Sequence, residues 1–245
     1  MGDEVPVRRL DDALTFVEGS EDQIRDLGVE SLKAANGELY PYDLLVASAA
    51  SRAILISKGF RTLMNERNYV ASYPLVRLAM DCCLCLVAGH FVDDLNDYAN
   101  HVVAGGRLSS YKSKDGDRLT DAFLRNKLHD KYPDLNVNGM YKQCSSWVHM
   151  SSMHIHSATH QVEDGDNDAT SGMAIRVSIG GVKELSESEY IEATLSLAIT
   201  NAMLCQMIAE WHNTKMVRKA ETDKDFEGRL YHLPMPVVTK YVRSP

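Results

Sequence analysis

The sequence predicts a mainly α protein, a helical bundle of four to five long helices with one short strand or hairpin. Three features carry that expectation. Leu44, Leu45, Ala49, Ala53, Ile56, Phe60 and Leu63 recur at the spacing of one helix face. Between positions 75 and 87 almost every residue is apolar, and a helix apolar all round must be enclosed by its neighbours. Methionine is plentiful, at 11 residues, while aromatic residues make up only 7% of the chain. Flexible, unbranched side chains of this kind suit helix packing better than sheets.

In chain order, residues 1–38 read as a mixed, charged N-terminal extension, within which 21–35 can form a short helix. Ser20 and Gln23 would cap its start, and the Asn36-Gly37 turn would end it. Residues 40–64 are a strong helix with Pro41 in the first turn, where a missing N–H leaves no bond unmade. Residues 68–92 are the central helix, and Pro74 either opens or kinks it. Arg77 and Asp81 interrupt its apolar surface four residues apart, so they share a face. A shorter helix over 93–104 ends at Gly105-Gly106, residues 105–118 are a loop, and 119–131 return to helix before Pro133. One further helix is expected over 138–158. Residues 161–171 are a polar loop, and positions 173–179 alternate with the period of two of a strand. Ser186 and Glu189 form a capping box that opens a long amphipathic helix to about Met216. An irregular tail, 217–245, follows. No repeat or low-complexity block divides the chain, so a single domain with its helical core at 40–216 is expected.

The net charge of −8 and pI near 5.6 argue against the broad basic surface that nucleic acid needs, though not against a local basic cleft. Cys82, Cys83, Cys85, Cys144 and Cys205 include no separated CxxC pair and are expected as reduced, buried thiols. The acidic start lacks the basic and apolar regions of a signal peptide. Pro6 stands where N-myristoylation after Gly2 requires Ser or Thr. No uninterrupted apolar run reaches the roughly 18 residues of a spanning helix. A cytoplasmic protein without membrane association is therefore expected.

Four side-chain groupings are candidates for chemistry. Arg77 with Asp81 is either a buried ion pair that fixes helix packing or a guanidinium facing a cleft, where it can hold phosphate or carboxylate. The segment at 147–160 carries His149, His154, His156 and His160, of which His149, His156 and His160 fall on one face if the helix is continuous. Three aligned imidazoles can bind zinc, but His149 and His156 would then lie roughly 10 Å apart along the axis, and the Glu of an HExxH site is missing. Solvated or hydrogen-bonded histidines are the plainer reading, and no metal or cofactor is expected. Arg125 and His129 share a helix face, a sensible pair for steadying a phosphate and moving protons in RNA cleavage, and equally an ordinary solvated face. Asp164, Asp166 and Asp168 begin like a calcium loop, but Ala169 and Ile175 occupy the places of its Gly and Glu, so a plain surface loop is expected. No nucleophile elbow, phosphate loop or dinucleotide fingerprint is present.

The string from Tyr69 through Ser72, Pro74 and Arg77 to Asp81, followed by Tyr141 and Ser145-Ser146-Trp147-Val148-His149, resembles prokaryotic helical proteins related to abortive-infection members of the HEPN superfamily. The resemblance covers about residues 40–210. It implies a helical bundle, a homodimer, and a metal-independent ribonuclease of phage defence or a toxin system, acting on RNA or with a partner protein. The superfamily's Arg–polar–three residues–His motif is one residue longer than Arg125-Asn126-Lys127-Leu128-His129. The other carry-over is Arg77, Asp81 and His149, facing one another across the bundle, with His149 as acid/base, Arg77 on the phosphate and Asp81 orienting one of them. The alternative is a non-catalytic module that binds a partner protein or small ligand, in which these charged residues are structural.

Overall fold

A computed structural model of the protein describes residues 7, 9–162, 174–177, 185–224, 226, 228 and 230–233. Eight α-helices lie among them. Four are long: α1 (Leu10–Lys33), α2 (Pro41–Asn65), α3 (Tyr69–Ala88) and α8 (Glu187–Thr222). Four are short: α4 (Leu95–Val103), α5 (Asp121–Lys131), α6 (Val137–Ser146) and α7 (Ser152–Ala158). The expected strand at 173–179 is β2 (Ala174–Val177), paired antiparallel with β1 (Thr159–Val162), Thr159 opposite Val177. The mainly α bundle with one hairpin is thus the observed fold. The acidic positions 164–168 fall outside the described residues.

The long helices close a ring around the core. α1 packs on α8 and α2, and α3 packs on α2 and α8. α4 lies on α2, while α5 and α6 lie on α3. Met64, Met80 and Met203 are fully enclosed, as are Phe60 and Tyr73. α3 and α8 are long and apolar enough to cross a membrane by length and composition, although neither carries an uninterrupted apolar run of that length. Most of each such stretch is buried inside the bundle, so enclosure by protein accounts for the apolarity.

Three element boundaries differ from expectation. α8 runs on to Thr222, past the expected end near Met216, so the first residues of the expected irregular tail are helix. α1 begins at Leu10, not at residue 21, so most of the expected N-terminal extension is core. Leu10, Ala13, Leu14, Val17, Ile24 and Leu27 are its buried stripe, and Ser20 sits inside the helix with its hydroxyl on the Val17 carbonyl. α1 has no side-chain cap of its own. Its first N–H instead donates to Glu187 Oε1 at 3.0 Å, and Arg67 pairs with the other oxygen of that carboxylate at 2.7 Å. Tyr190 OH donates to the carbonyl of Arg67, whose backbone is left-handed at φ 55°. The start of α1, the α2–α3 turn and the start of α8 are therefore knotted together at one end of the bundle.

The helix expected over 138–158 is broken between α6 and α7. Trp147 turns inward onto Tyr69, with ring centroids 5.2 Å apart. Ser151 donates to the Ser146 carbonyl at 2.6 Å and caps α7 by accepting from Met153 N. Side-chain bonds of this kind to nearby backbone compete with helix continuation.

Asn201 of α8, wholly buried, donates to Ser20 of α1 at 2.8 Å and to Ser57 of α2 at 2.9 Å. Beside this layer Arg61 grips the buried Glu21 through two bonds, 2.8 and 3.2 Å long. Such polar layers set the register of packed helices.

Candidate functional site

Arg77 stands on the flank of α3 that faces α5 and α6, and its side chain is only 14% exposed. Asp81 follows one turn later on α3 and lies against Nη1. Nη2 donates to Asp121 Oδ2 at 2.8 Å and also bonds the hydroxyl of Tyr141. That hydroxyl in turn donates to Asp121 Oδ2 at 2.8 Å. Burial, then the bond to Asp121, raises the Tyr141 pKa, which keeps the phenol protonated as that donor. The Arg77 guanidinium carbon lies 4.1 Å from the Tyr141 ring centroid, and that of Arg125 lies 4.0 Å from it. The cluster therefore holds two guanidiniums and two carboxylates around one tyrosine, so its charges cancel.

Four of the five expected site residues thus gather on this flank. Arg77, Asp81 and Arg125 belong to the cluster directly, and His129 sits one turn beyond Arg125 on α5. His149 does not join them. It is exposed in the turn between α6 and α7, and no hydrogen bond, ion pair or ring contact links it to Arg77 or Asp81. That turn packs on the Tyr69 end of α3, about 12 Å along the axis from Arg77. The break after α6 also removes the single helix face that would have aligned three histidines. His149 lies in the turn, His154 and His156 on α7, and His160 on β1. Among the described residues no group of three His, Cys, Asp or Glu is placed to hold a metal ion. The cysteines are free thiols, and burial pushes Cys82 and Cys144 up to about 11 and Cys205 up to about 12, so they stay protonated and unreactive.

Two charged groups on α8 are absent from the sequence reading. Lys215 is fully enclosed and donates to both oxygens of the equally buried Asp43, each at 3.1 Å, and to the Ser31 carbonyl at 3.0 Å. Asp43 also accepts from Trp211 Nε1 and from Tyr40 N, both at 2.7 Å. Pro41 at the first helical position hints at the role of Asp43 two residues later as a capping carboxylate, but nothing local points to Lys215.

Glu210 gathers His90 at 3.1 Å, Lys131 at 2.7 Å and Gln206 at 3.1 Å. Burial alone would raise its pKa; the bonds from His90, Lys131 and Gln206 outweigh that and hold it down at about 2. A depressed carboxylate contributes stability that is complete above its unfolded pKa and lost as pH falls through the folded one. Glu210 is therefore expected to contribute up to about 3 kcal/mol that fades between pH 4.5 and about 2. Urea unfolding across that window should show a steeper loss for the natural chain than for Glu210→Gln; parallel curves would show that the carboxylate is not held down.

Compared with family models, curated proteins and solved structures, the chain matches none.

Proposed function

We propose that the chain is a non-catalytic helical module that binds a partner protein, and that the Arg77 cluster serves its architecture. One observation carries this reading: the guanidinium of Arg77 is taken up by Asp81, Asp121 and Tyr141 within a charge-balanced group. A phosphate would have to displace two carboxylates from it and would meet their repulsion.

A second reading, the metal-independent ribonuclease of a defence or toxin system that the HEPN resemblance implies, is favoured by His129. Its Nδ1 is buried without a hydrogen-bond partner, one turn from Arg125. An unsatisfied buried nitrogen calls for an explanation, and a half-buried imidazole can exchange a proton with a substrate hydroxyl where substrate opens the site, while Arg125 steadies the phosphate. Incubation of the purified chain with structured and single-stranded RNA in the presence of a chelator separates the two. The module reading expects intact RNA. Cleavage that disappears in His129→Ala and persists in His149→Ala would replace it with the ribonuclease.

A further inference from the structure

α2 turns one side outward. Leu44, Ser48, Ser51, Leu55 and Lys58 are exposed along it at steps of four, three, four and three residues. That is the spacing of a single helix face, the one a further helix would meet. Beside that face, α2 and Leu75 of α3 enclose an open groove of about 720 Å³. Small residues line much of it: Ala47, Ser48, Ser51 and Gly59. Leu55 stands on its rim with 66% of its surface exposed. Small lining residues let a second backbone approach closely, and Leu55, Ile56 and Leu75 give it something to bury.

Charge narrows the occupant. Arg52 is the one charged side chain lining the groove, and among the described residues no carboxylate pairs with it. The next exposed charge on this side of α2, Lys58, is also positive. Two copies of the chain packed on this face would each bring Arg52 and Lys58 to the seam, and no carboxylate among the residues that line the groove would meet them. A carboxylate at the edge of an apolar helix would instead complete the groove.

We propose that this groove receives an amphipathic helix of a partner protein, with an apolar stripe against Ser48, Ser51 and Leu55 and a carboxylate paired with Arg52. The inference rests on the reading of the chain as a binding module and names the chemistry of its partner.

The test uses the full chain and a displayed library of helical peptides about 18 residues, or five turns, long. Seam positions are drawn from Ala, Leu, Ile and Met, and flanking positions equally from Glu, Gln and Lys. Peptides selected on the natural chain are expected to be enriched in Glu and to bind about fivefold tighter than their Gln counterparts. Selection on Arg52→Glu should shift the flanking positions to Lys, and Ser51→Trp, which sets a bulky ring in the groove, should abolish binding. Both substitutions are at exposed positions, and melting curves matching the natural chain confirm that each variant is folded. The proposal is overturned if no peptide is selected, or if the flanking residues are the same for the natural chain and Arg52→Glu. It is equally overturned if the chain sediments as a dimer that Ser51→Trp dissociates, since a second copy then covers the groove. RNA cleavage dependent on His129 would overturn the module reading and leave the peptide result standing, so the two failures are distinguishable.

Discussion

Lys215→Met is expected to destabilise the fold by about 3–5 kcal/mol, because it strands a buried carboxylate without its counter-charge. Asp43 would keep its bonds from Tyr40 N and Trp211 Nε1, but two neutral donors do not compensate a full charge away from water. The Ser31 carbonyl would lose its ammonium donor as well. In a chain of this length the loss corresponds to a fall of roughly 10 °C in Tm. In urea the midpoint should fall while the slope stays constant. Replacing both partners, as Asp43→Leu with Lys215→Met, should recover part of the loss, since an apolar pair of similar volume avoids desolvating two ions. Recovery stops short of complete because Asp43 also caps α2, a contribution of about 1 kcal/mol. A single variant that unfolds within 1 kcal/mol of the natural chain would show that Asp43 is stabilised without Lys215.

Arg77→Ala is expected to lower stability by about 2–3 kcal/mol, somewhat less than Lys215→Met, because the carboxylates it leaves behind reach solvent. The damage should be local first. Arg77 ties α3 to the start of α5 and to α6, so amides of α5 and α6 should lose protection from hydrogen exchange before those of the four long helices. Arg77→Lys should not rescue the effect, since a single ammonium cannot span two carboxylates and a phenol as a planar fork does. A double-mutant cycle with Asp121→Asn should give a coupling above about 0.5 kcal/mol. Additive losses would mean that the Arg77–Asp121 contact contributes nothing to the fold.

Much of the architecture was legible because it is local. The capping box at Ser186, the stripe on α2, the enclosure of α3 and the alternation at 173–179 each reside in a few consecutive residues. The start of α1 was not. Its buried stripe is interleaved with Asp11, Asp12 and an exposed Phe16, and its cap is supplied by Glu187, 177 residues away. The site divides in the same way. Arg77 and Asp81 are i,i+4 partners and can be paired on paper. Asp121 and Tyr141 reach Arg77 from other helices, 44 and 64 residues along the chain, and no periodicity announces them. His149 was misplaced because the bond from Ser151 to the Ser146 carbonyl ends the helix on which its expected position depended. Lys215 shows the same limit more sharply, since a lysine on a long amphipathic helix reads as solvated until Asp43 is known to face it.

The knot formed by Glu187, Arg67, Tyr190 and the first turn of α1 has a consequence for how the chain is made. The earliest helix of the ring lies against the latest, and its opening amide waits for a carboxylate synthesised 177 residues afterwards. In the order of synthesis α1, α2 and α3 precede α8, so the ring lacks its fourth side until the last long helix has emerged. Closing the ring then joins segments far apart in sequence, which is the kind of step that makes folding slow. Until it happens, the buried stripe of α1 and the apolar flanks of α3 are open to any other hydrophobic surface nearby, so the nascent chain is most exposed to chaperone capture and misassembly just before its last helix docks.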